Sequence, residues 1–258
     1  MELKQIISHI ETLAPLAAQD GFDNSGLQVG FPEQEISKVL VCLDITEEVV
    51  EEARRKGCEL ILSHHPLLFH PLKQVSDITY QQRCVVAALK AGIAIYSAHT
   101  SLDNSPGGVN YKIAELIGLE DLRWLSPKEG MDAGSGLLGT MRNPMTDSDF
   151  LGFLKERFRV AALRCSEPCG KTVQRVALCG GAGAFLLPDA IREGADCFVC
   201  GEFHYHDYFE NRGVLLAELG HYQSEQFTSE LLADTLRSAF PELQVSITEI
   251  DTNPIRYR

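Results

Sequence analysis

The feature that most constrains the fold of this chain is an internal repeat with an offset of 137 residues. Residues 38–42 (KVLVC) align without a gap with 175–179 (RVALC), and 55–59 (RKGCE) align at the same offset with 192–196 (REGAD). Each copy has an apolar strand, a helical segment and a second apolar strand, the pattern of a β-α-β unit. The chain is therefore predicted to be an α/β protein with two pseudo-repeated halves, each a mainly parallel sheet covered by helices.

The repeat also indicates how the chain is divided. We expect a first α/β half at residues 1–118, a linker at 119–145 and a second half at 146–258. Proline and glycine interrupt the apolar pattern of the linker, where only one short strand is expected, at 137–141. The chain is long enough to bury a sizeable core, whereas the linker is too short to hold a further domain.

Composition and charge argue against several classes of function. The formal net charge of -13 at pH 7 disfavours a nucleic-acid partner, because phosphate binding needs a basic surface. No apolar run is long enough to cross a membrane, and the first residues do not resemble a signal peptide. We therefore expect a cytoplasmic protein without membrane contact.

The eight cysteines are interpreted as reduced and mostly buried thiols. Cys197 and Cys200 have the spacing of a metal or redox pair, but their apolar surroundings are typical of a buried strand. Cys165 and Cys169 flank Pro168 in a predicted loop, with no second pair nearby.

The most distinctive polar segment is the pair His64 and His65, which follows the apolar run 60–63. Neighbouring residues within a strand point to opposite faces, so two histidines inside a strand would diverge. Pro66 ends the strand, however, and in the turn that follows both imidazoles can reach one point. Neutral imidazole is the commonest metal ligand in proteins. The alternative is a pair of loop histidines that face water. Whether further metal ligands lie elsewhere in the chain must decide between the two interpretations.

Further potential metal ligands follow strands in both halves. Functional groups of open α/β sheets gather at the carboxyl ends of the strands. Nitrogen and carboxylate donors together suit zinc, iron or manganese better than calcium. The residues at or just beyond such ends are His64, His65, His99, Asp103, Glu202, His206, His221 and Glu225.

A second match joins the two halves. Residues 98–103 (AHTSLD) match 220–225 (GHYQSE): each has a small residue, a histidine and a carboxylate four positions after the histidine. This match makes His99 the equivalent of His221. His221 and Glu225 are also one helical turn apart if they open a helix, so both can face one ion. We expect the pseudo-symmetric halves to share a cleft that holds a metal site.

Six fragments resemble, in order, those of one known family: DNSGLQVG, LSHHPLLF, SAHTSLD, PGGVN, GEFHYHD and GHYQSE. They are similar to fragments of the NGG-interacting-factor-three-like family, whose members are often named GTP cyclohydrolase 1 type 2 homologues. The double-histidine and His-x3-Glu segments are the specific ones. Ser101 and Glu202 stand where relatives often have Asn and Asp, and neither change removes a ligand.

The resemblance implies a dinuclear metal centre and assembly into a toroidal homohexamer. Asp103 would be a ligand in place of His99, which the repeat alone would favour. His99 and His206 would lie near the metals without binding them, where either could carry a proton in catalysis or only support the ligand residues. The ligands that the resemblance implies are His64, His65, Asp103, His221 and Glu225, with Glu225 bridging.

The function that follows from this resemblance is hydrolysis. Two divalent ions can activate water and polarise a substrate oxygen. The family name makes the substrate GTP, with water attacking the imidazole ring of the purine and formate leaving. No glycine-rich phosphate loop independently specifies GTP. Two alternatives stay open: a non-catalytic metal-binding or metal-delivery hexamer, and a dinuclear phosphoesterase.

Overall fold

The computed structural model describes residues 1–168 and 170–256. Its helices are α1 (Leu3–Leu13), α2 (Glu47–Lys56), α3 (Tyr80–Ala91), α4 (Thr100–Asp103), α5 (Val109–Ile117), α6 (Asp147–Arg157), α7 (Leu187–Arg192), α8 (His221–Glu225) and α9 (Thr228–Ala239). Short 3-10 helices span Leu16–Ala18, Ala184–Leu186 and Tyr205–Phe209. The strands are β1 (Gly26–Val29), β2 (Lys38–Cys42), β3 (Leu60–Ser63), β4 (Ala94–Ser97), β5 (Leu119–Pro127), β6 (Gly134–Thr146), β7 (Arg164–Cys165), β8 (Thr172–Cys179), β9 (Cys197–Cys200), β10 (Leu215–Glu218) and β11 (Gln244–Ile247).

The first compact unit comprises Met1–Leu102 and Thr228–Arg258. Its sheet has the order β1-β4-β3-β2-β11, in which β4, β3, β2 and β11 are parallel and β1 pairs antiparallel with β4. Every residue of β3 and β4 is buried, as expected of parallel strands that helices cover on both faces. The carboxyl ends of β2, β3 and β4 consequently lie along one edge of the sheet, where polar side chains can meet.

Helix α2 shows how local sequence sets the element boundaries of this unit. Thr46 caps its N-terminus, with Oγ1 accepting a hydrogen bond of 3.3 Å from the backbone N–H of Val49. Gly57 ends the helix in the left-handed conformation, at φ 67°. The buried face of α2 packs on the sheet through Val49 and Ala53, which belong to the same apolar cluster as Leu40 of β2.

The second compact unit comprises Asp103–Phe227. Its sheet has the order β5-β6-β8-β9-β10-β7. The central strands β8, β9 and β10 are parallel, whereas β5, β6 and β7 pair antiparallel with their neighbours. This sheet is therefore mixed, with the predicted parallel arrangement confined to its centre.

The segment predicted to hold one short strand carries two long ones, β5 and β6. The glycines that suggested a break in fact allow close strand packing. A Cβ on Gly134 would lie 2.7 Å from Cγ of Trp124 in β5, and one on Gly136 would lie 2.8 Å from the carbonyl oxygen of Leu178 in β8. Glycine inside a strand often marks such a close approach, so its presence here was compatible with strand structure.

The repeat is present in the strand register of both units. Val39 of β2 lies opposite Leu60 of β3, and Val176 of β8 lies opposite Cys197 of β9. Both pairs keep the offset of 137 residues found in the sequence. The predicted α/β class with two related β-α-β units is therefore confirmed down to individual residue pairs.

Most of the cysteines in the described part of the chain are buried free thiols, as predicted. Cys197 and Cys200 are buried in β9 as unlinked thiols, and Cys165 is an exposed free thiol, while Cys169 lies outside the described residues. Within the described part of the chain, no helix is both long enough and apolar enough to cross a bilayer.

Candidate metal centre

Three histidines of the first unit lie at the carboxyl ends of β3 and β4. His64 and His65 directly follow β3, and His99 follows β4 by two residues. The potential ligand nitrogens of the three side chains lie within 4.8 Å of one another. Both neighbouring imidazoles therefore reach one point after the strand ends, as the position of Pro66 predicted.

Backbone hydrogen bonds fix the position of the histidine pair. The N–H of His64 donates to the carbonyl of Cys42 at 3.2 Å, and that of His65 donates to Leu43 at 3.0 Å. The hydroxyl of Ser63 donates to the carbonyl of His65 at 2.9 Å. The turn is thus held against the end of β2, so the two rings are placed by the sheet itself.

Each of the three rings has an acceptor at Nδ1. His64 Nδ1 lies 3.2 Å from the carbonyl oxygen of Ala98, His65 Nδ1 lies 2.7 Å from Oδ1 of Asp44, and His99 Nδ1 lies 2.7 Å from Oδ1 of Asp23. Because carbonyl and carboxylate oxygens only accept, each Nδ1 carries the proton and each Nε2 carries the lone pair. Metal-binding histidines typically have this arrangement, with the second nitrogen donating to a carboxylate or carbonyl.

The two carboxylates stay ionised in the folded protein. Burial alone would raise the pKa of Asp23, but the hydrogen bond from His99, with those from the hydroxyls of Thr100 and Ser25, lowers it below its usual value. The pKa of Asp44 is also lowered, because the interaction with His65 outweighs the effect of burial. Both groups therefore add negative charge beside rings that could hold a cation.

Sequence reasoning missed Asp23 and Asp44 as parts of the site. Asp44 follows β2 by two residues, at the same sheet edge as the histidines. Asp23 belongs to the DNSGLQVG fragment, which holds few metal-ligating residues and is uninformative on its own. A carboxylate just after a strand was a usable signal for Asp44, whereas Asp23 is 76 residues away from His99 along the chain and gave none.

The second unit contributes His221 and Glu225, the first and last residues of the short helix α8. His221 Nε2 lies 3.2 Å from Oε2 of Glu225, and His221 Nδ1 lies 3.2 Å from Oε1 of Glu202. The side chain of Glu225 is only 4% exposed. The predicted pairing of His221 and Glu225 across one helical turn is present, with Glu202 fixing the opposite nitrogen of the ring.

Gly181 makes room for the Glu225 carboxylate. A Cβ at this position would lie 2.4 Å from Glu225 Oε1 and 3.3 Å from His221 Nε2. The φ of Gly181 is +58°, a conformation that side-chain-bearing residues rarely adopt. Its N–H donates to Oγ of Ser224 at 3.0 Å, which holds the glycine backbone against α8. The positive φ and the close approach of Glu225 therefore both favour glycine beside the paired donors.

Asp103 ends α4 and is tied to the same glycine-containing turn through Asn110. The side-chain amide of Asn110 donates to the carbonyl of Asp103 at 3.0 Å, and its Oδ1 accepts from the N–H of Gly180 at 3.0 Å. Asn110 is buried in α5, at the end of the PGGVN fragment. This asparagine therefore fixes the backbone of Asp103 relative to Gly180.

The match that made His99 the equivalent of His221 is one residue out of register. Ser97 of β4 lies opposite Ser63 of β3, and the corresponding pair in the second unit is Glu218 and Cys200. Counting on from these pairs makes Gly220 the equivalent of His99, and makes Thr100 the equivalent of His221. The helices agree, since α4 begins at Thr100 and α8 at His221. The sequence match followed residue identity, whereas the strand ladder decides which positions correspond.

His206 lies on an exposed 3-10 helix, where its ring contacts Tyr205 and Phe209 at centroid distances of 5.4 and 6.3 Å. Among the described residues, the clusters of close metal-ligating groups do not include His206. The two units therefore offer two donor sets. One consists of His64 and His65, with His99 beside them, and the other contains His221 and Glu225, with Asp103 held by Asn110.

These donor sets fit transition-metal binding. Imidazole nitrogens with fixed tautomers, together with carboxylate oxygens, are ligands that zinc, iron and manganese take in proteins.

Known proteins share both the sequence and the fold of this chain. A "GTP cyclohydrolase 1 type 2 homolog" from Clostridium perfringens is 36% identical over 230 residues, covering 87% of each chain. The "NIF3-like protein 1" of Drosophila melanogaster is 33% identical over 98% of this chain and 88% of its own. A Staphylococcus aureus hypothetical protein, SA1388, matches with a TM-score of 0.94 at 26% identity, covering 100% of this chain and 99% of that one.

The same fold occurs in the structure of reduced HcgD from Methanocaldococcus jannaschii, with a TM-score of 0.81 at 28% identity over 97% of this chain and 98% of that one. The model of the family Duf34/NIF3 (NGG1p interacting factor 3) matches residues 1–254, which include every histidine and carboxylate of the two donor sets. With a match of that extent, the chain belongs to the Duf34/NIF3 family.

Proposed function

We propose that this protein is a metal-dependent hydrolase that binds two divalent ions and acts on GTP. The proposed ligands are His64, His65, Asp103, His221 and Glu225. The observation that carries the proposal is the shared tautomer of the first unit's histidines, whose Nδ1 atoms all face acceptors. Rings held in this way present Nε2 lone pairs, which is what a metal requires of them.

The carboxylates of the site have separate tasks. Asp44 holds the ring of His65, and Glu202 holds that of His221. Glu225, buried beside Gly181, supplies negative charge where two cations would otherwise repel each other. When bound, the metal ions would lower the pKa of water and polarise a substrate oxygen.

His99 is proposed to carry the proton. Its Nδ1–H donates to the buried carboxylate of Asp23, so Nε2 can accept a proton from an attacking water. The resulting imidazolium is stabilised by Asp23, as in other histidine–carboxylate pairs that act as general bases. His99 can then return the proton to the ring nitrogen that leaves carbon as the purine imidazole opens. His206 is the second candidate for this role.

GTP is proposed as the substrate on the names of the relatives, several of which are called "GTP cyclohydrolase 1 type 2 homolog". Hydrolysis of the imidazole ring would add one water at the carbon between the two ring nitrogens, which breaks one C–N bond and leaves that carbon as a formamide. A second water would then cleave the formamide and release the carbon as formate. The proposed site also suits a negatively charged nucleotide, because divalent cations offset the acidic character of the chain, whose net charge is -13.

The test is metal analysis of the purified protein followed by incubation with GTP and with simple phosphoesters. Formate release from GTP supports the proposal. Phosphate release instead makes the protein a dinuclear phosphoesterase, and bound metal without turnover makes it a metal-binding or metal-delivery protein. A metal content well below two ions per chain overturns the proposed dinuclear centre.

We also propose that the protein assembles into a homohexamer, in line with the resemblance of its motifs to those of a family of toroidal hexamers. Sedimentation velocity at micromolar concentration tests this. A mass close to six times 28.5 kDa is expected, and a monomer contradicts it.

A further inference from the structure

An aromatic wall adjoins the histidines of the first unit, and the proposed hydrolysis does not account for it. The wall consists of Phe22 and Phe69, whose ring centroids are 6.3 Å apart. Phe69 in turn lies 6.0 Å from the ring of His99, at an interplanar angle of 85°. Phe22 is 65% exposed and Phe69 is 36% exposed. Two apolar rings are thus open to solvent directly beside the group proposed to carry the proton.

The wall is held in place by polar contacts from the DNSGLQVG fragment. The amide of Asn24 donates to the carbonyl of Leu68 at 2.7 Å, and the N–H of Leu68 donates to Oε1 of Gln28 at 3.1 Å. These two bonds join the segment that carries Phe22 to the segment that carries Phe69. The same fragment supplies Asp23, which binds His99. One short fragment therefore orients the proton carrier and also fixes the exposed rings beside it.

We propose that Phe22 and Phe69 form a stacking subsite for the purine base of the substrate. Because the rings of Phe69 and His99 are in contact, a purine whose reacting carbon lies within reach of His99 has atoms close enough to contact Phe69. Aromatic side chains stack on every nucleobase, since each base has a π-face. The exposure of both rings fits this role, because an aromatic face that binds a base must be open to solvent before the base arrives. This inference rests on the proposed function and names the residues that would select a heterocyclic substrate.

The experiment measures guanosine and inorganic tripolyphosphate binding to the metal-loaded, full-length protein by titration calorimetry. Phe22→Ala and Phe69→Leu should each weaken guanosine binding about tenfold, which corresponds to the loss of one stacking contact. Tripolyphosphate affinity and metal content should not change, because neither ring belongs to the donor sets. Phe69→Tyr keeps the aromatic ring, so it should bind guanosine with the wild-type affinity that Phe69→Leu loses.

Phe31→Ala is the matched control, since Phe31 is 70% exposed in the same unit and belongs to neither the wall nor the donor sets. Unchanged guanosine binding in both wall variants overturns the subsite, as does a wild-type protein that binds no guanosine. A loss of metal in these variants also overturns it, since the rings would then support the centre rather than the base.

The outcome separates this inference from the proposed reaction. Ring-dependent guanosine binding without formate release keeps the subsite and rejects the hydrolysis. Formate release from GTP with an unchanged KM in both wall variants keeps the hydrolysis and rejects the subsite.

Discussion

Nδ1 of His99 lies 2.7 Å from Oδ1 of Asp23, whose side chain is fully buried. A similar contact of 2.7 Å joins His65 to Asp44 in the same unit. The two pairs share the same Nδ1–Oδ1 distance, but we assign them different tasks: His65 is a proposed metal ligand, and His99 is the proposed proton carrier. Replacing each carboxylate by its amide distinguishes these tasks.

Asp23→Asn should lower the rate of GTP hydrolysis by a factor of 100 or more, roughly, because an amide no longer fixes the tautomer or stabilises the imidazolium. Metal content should stay at the wild-type level. Asp44→Asn, the matched variant, should instead weaken metal binding by about 10–100-fold, since it disturbs a ligand histidine. Metal content after dialysis against a chelator, with initial rates of formate release, measures both effects. Equal metal loss in the two variants would show that His99 is also a ligand.

Glu225→Gln should reduce metal content more than His99→Ala does. Glu225 is the proposed bridging carboxylate, and without its charge two cations would be poorly neutralised. His99→Ala should reduce activity more than metal loading. Elemental analysis of both variants, purified side by side, tests the assignment. A protein that keeps both metals after Glu225→Gln but loses them after His99→Ala would reverse it.

Gly181→Ala should abolish metal binding through steric contact. The added Cβ would lie 2.4 Å from Oε1 of Glu225, so the carboxylate must move away from His221. The matched control is Gly57→Ala, because Gly57 has a similar φ of +67° and no atom within 4 Å of the added Cβ. Both variants should lose about 1–2 kcal/mol of stability from the left-handed backbone. Only Gly181→Ala should lose metal, and equal metal content in the two proteins would contradict the proposed role of this glycine.

Glu52 makes the stability of the first unit depend on pH. Burial would raise its pKa, but hydrogen bonds from Lys56, from the hydroxyl of Thr248 and from the backbone N–H of Glu249 lower it below the usual 4.5. A lowered folded-state pKa gives stability that is present above the unfolded-state value and is lost as pH falls through the folded-state value. The free energy of unfolding should therefore fall as the pH decreases below about 4.5.

Glu52→Gln should lower the free energy of unfolding by about 2 kcal/mol at pH 7, since it removes a buried acceptor that carries charge. The difference from wild type should shrink as the pH falls below 4.5 and through the lower folded-state pKa of Glu52, where its carboxylate becomes protonated. Glu51→Gln on the same helix is the control, because Glu51 is exposed and its pairing with Arg54 contributes little. Urea unfolding of the three proteins between pH 3 and 7 measures these effects, and parallel pH profiles for wild type and Glu52→Gln would refute them.

Local periodicity was sufficient to predict much of the fold. Apolar runs bounded by caps and glycines indicated α2 and β3, and the β-α-β pattern predicted that β2 and β3 lie in a mainly parallel sheet, as they do. The convergence of His64 and His65 was also predictable, because Pro66 ends the strand at that point. These features depend on residues that are close in sequence or on a repeat that can be read directly.

The tertiary structure alone decided the features that depend on strand order and ladder register. β1 pairs with β4, which brings Asp23 to His99 across 76 residues. The strand register makes Gly220 the equivalent of His99, although the sequence match had made His221 its equivalent. Gly134 and Gly136, which resembled breaks in the chain, instead let β6 pack closely against its neighbours β5 and β8. In each case the deciding contact joins residues distant along the chain, and local patterns of hydrophobicity carry no information about such contacts.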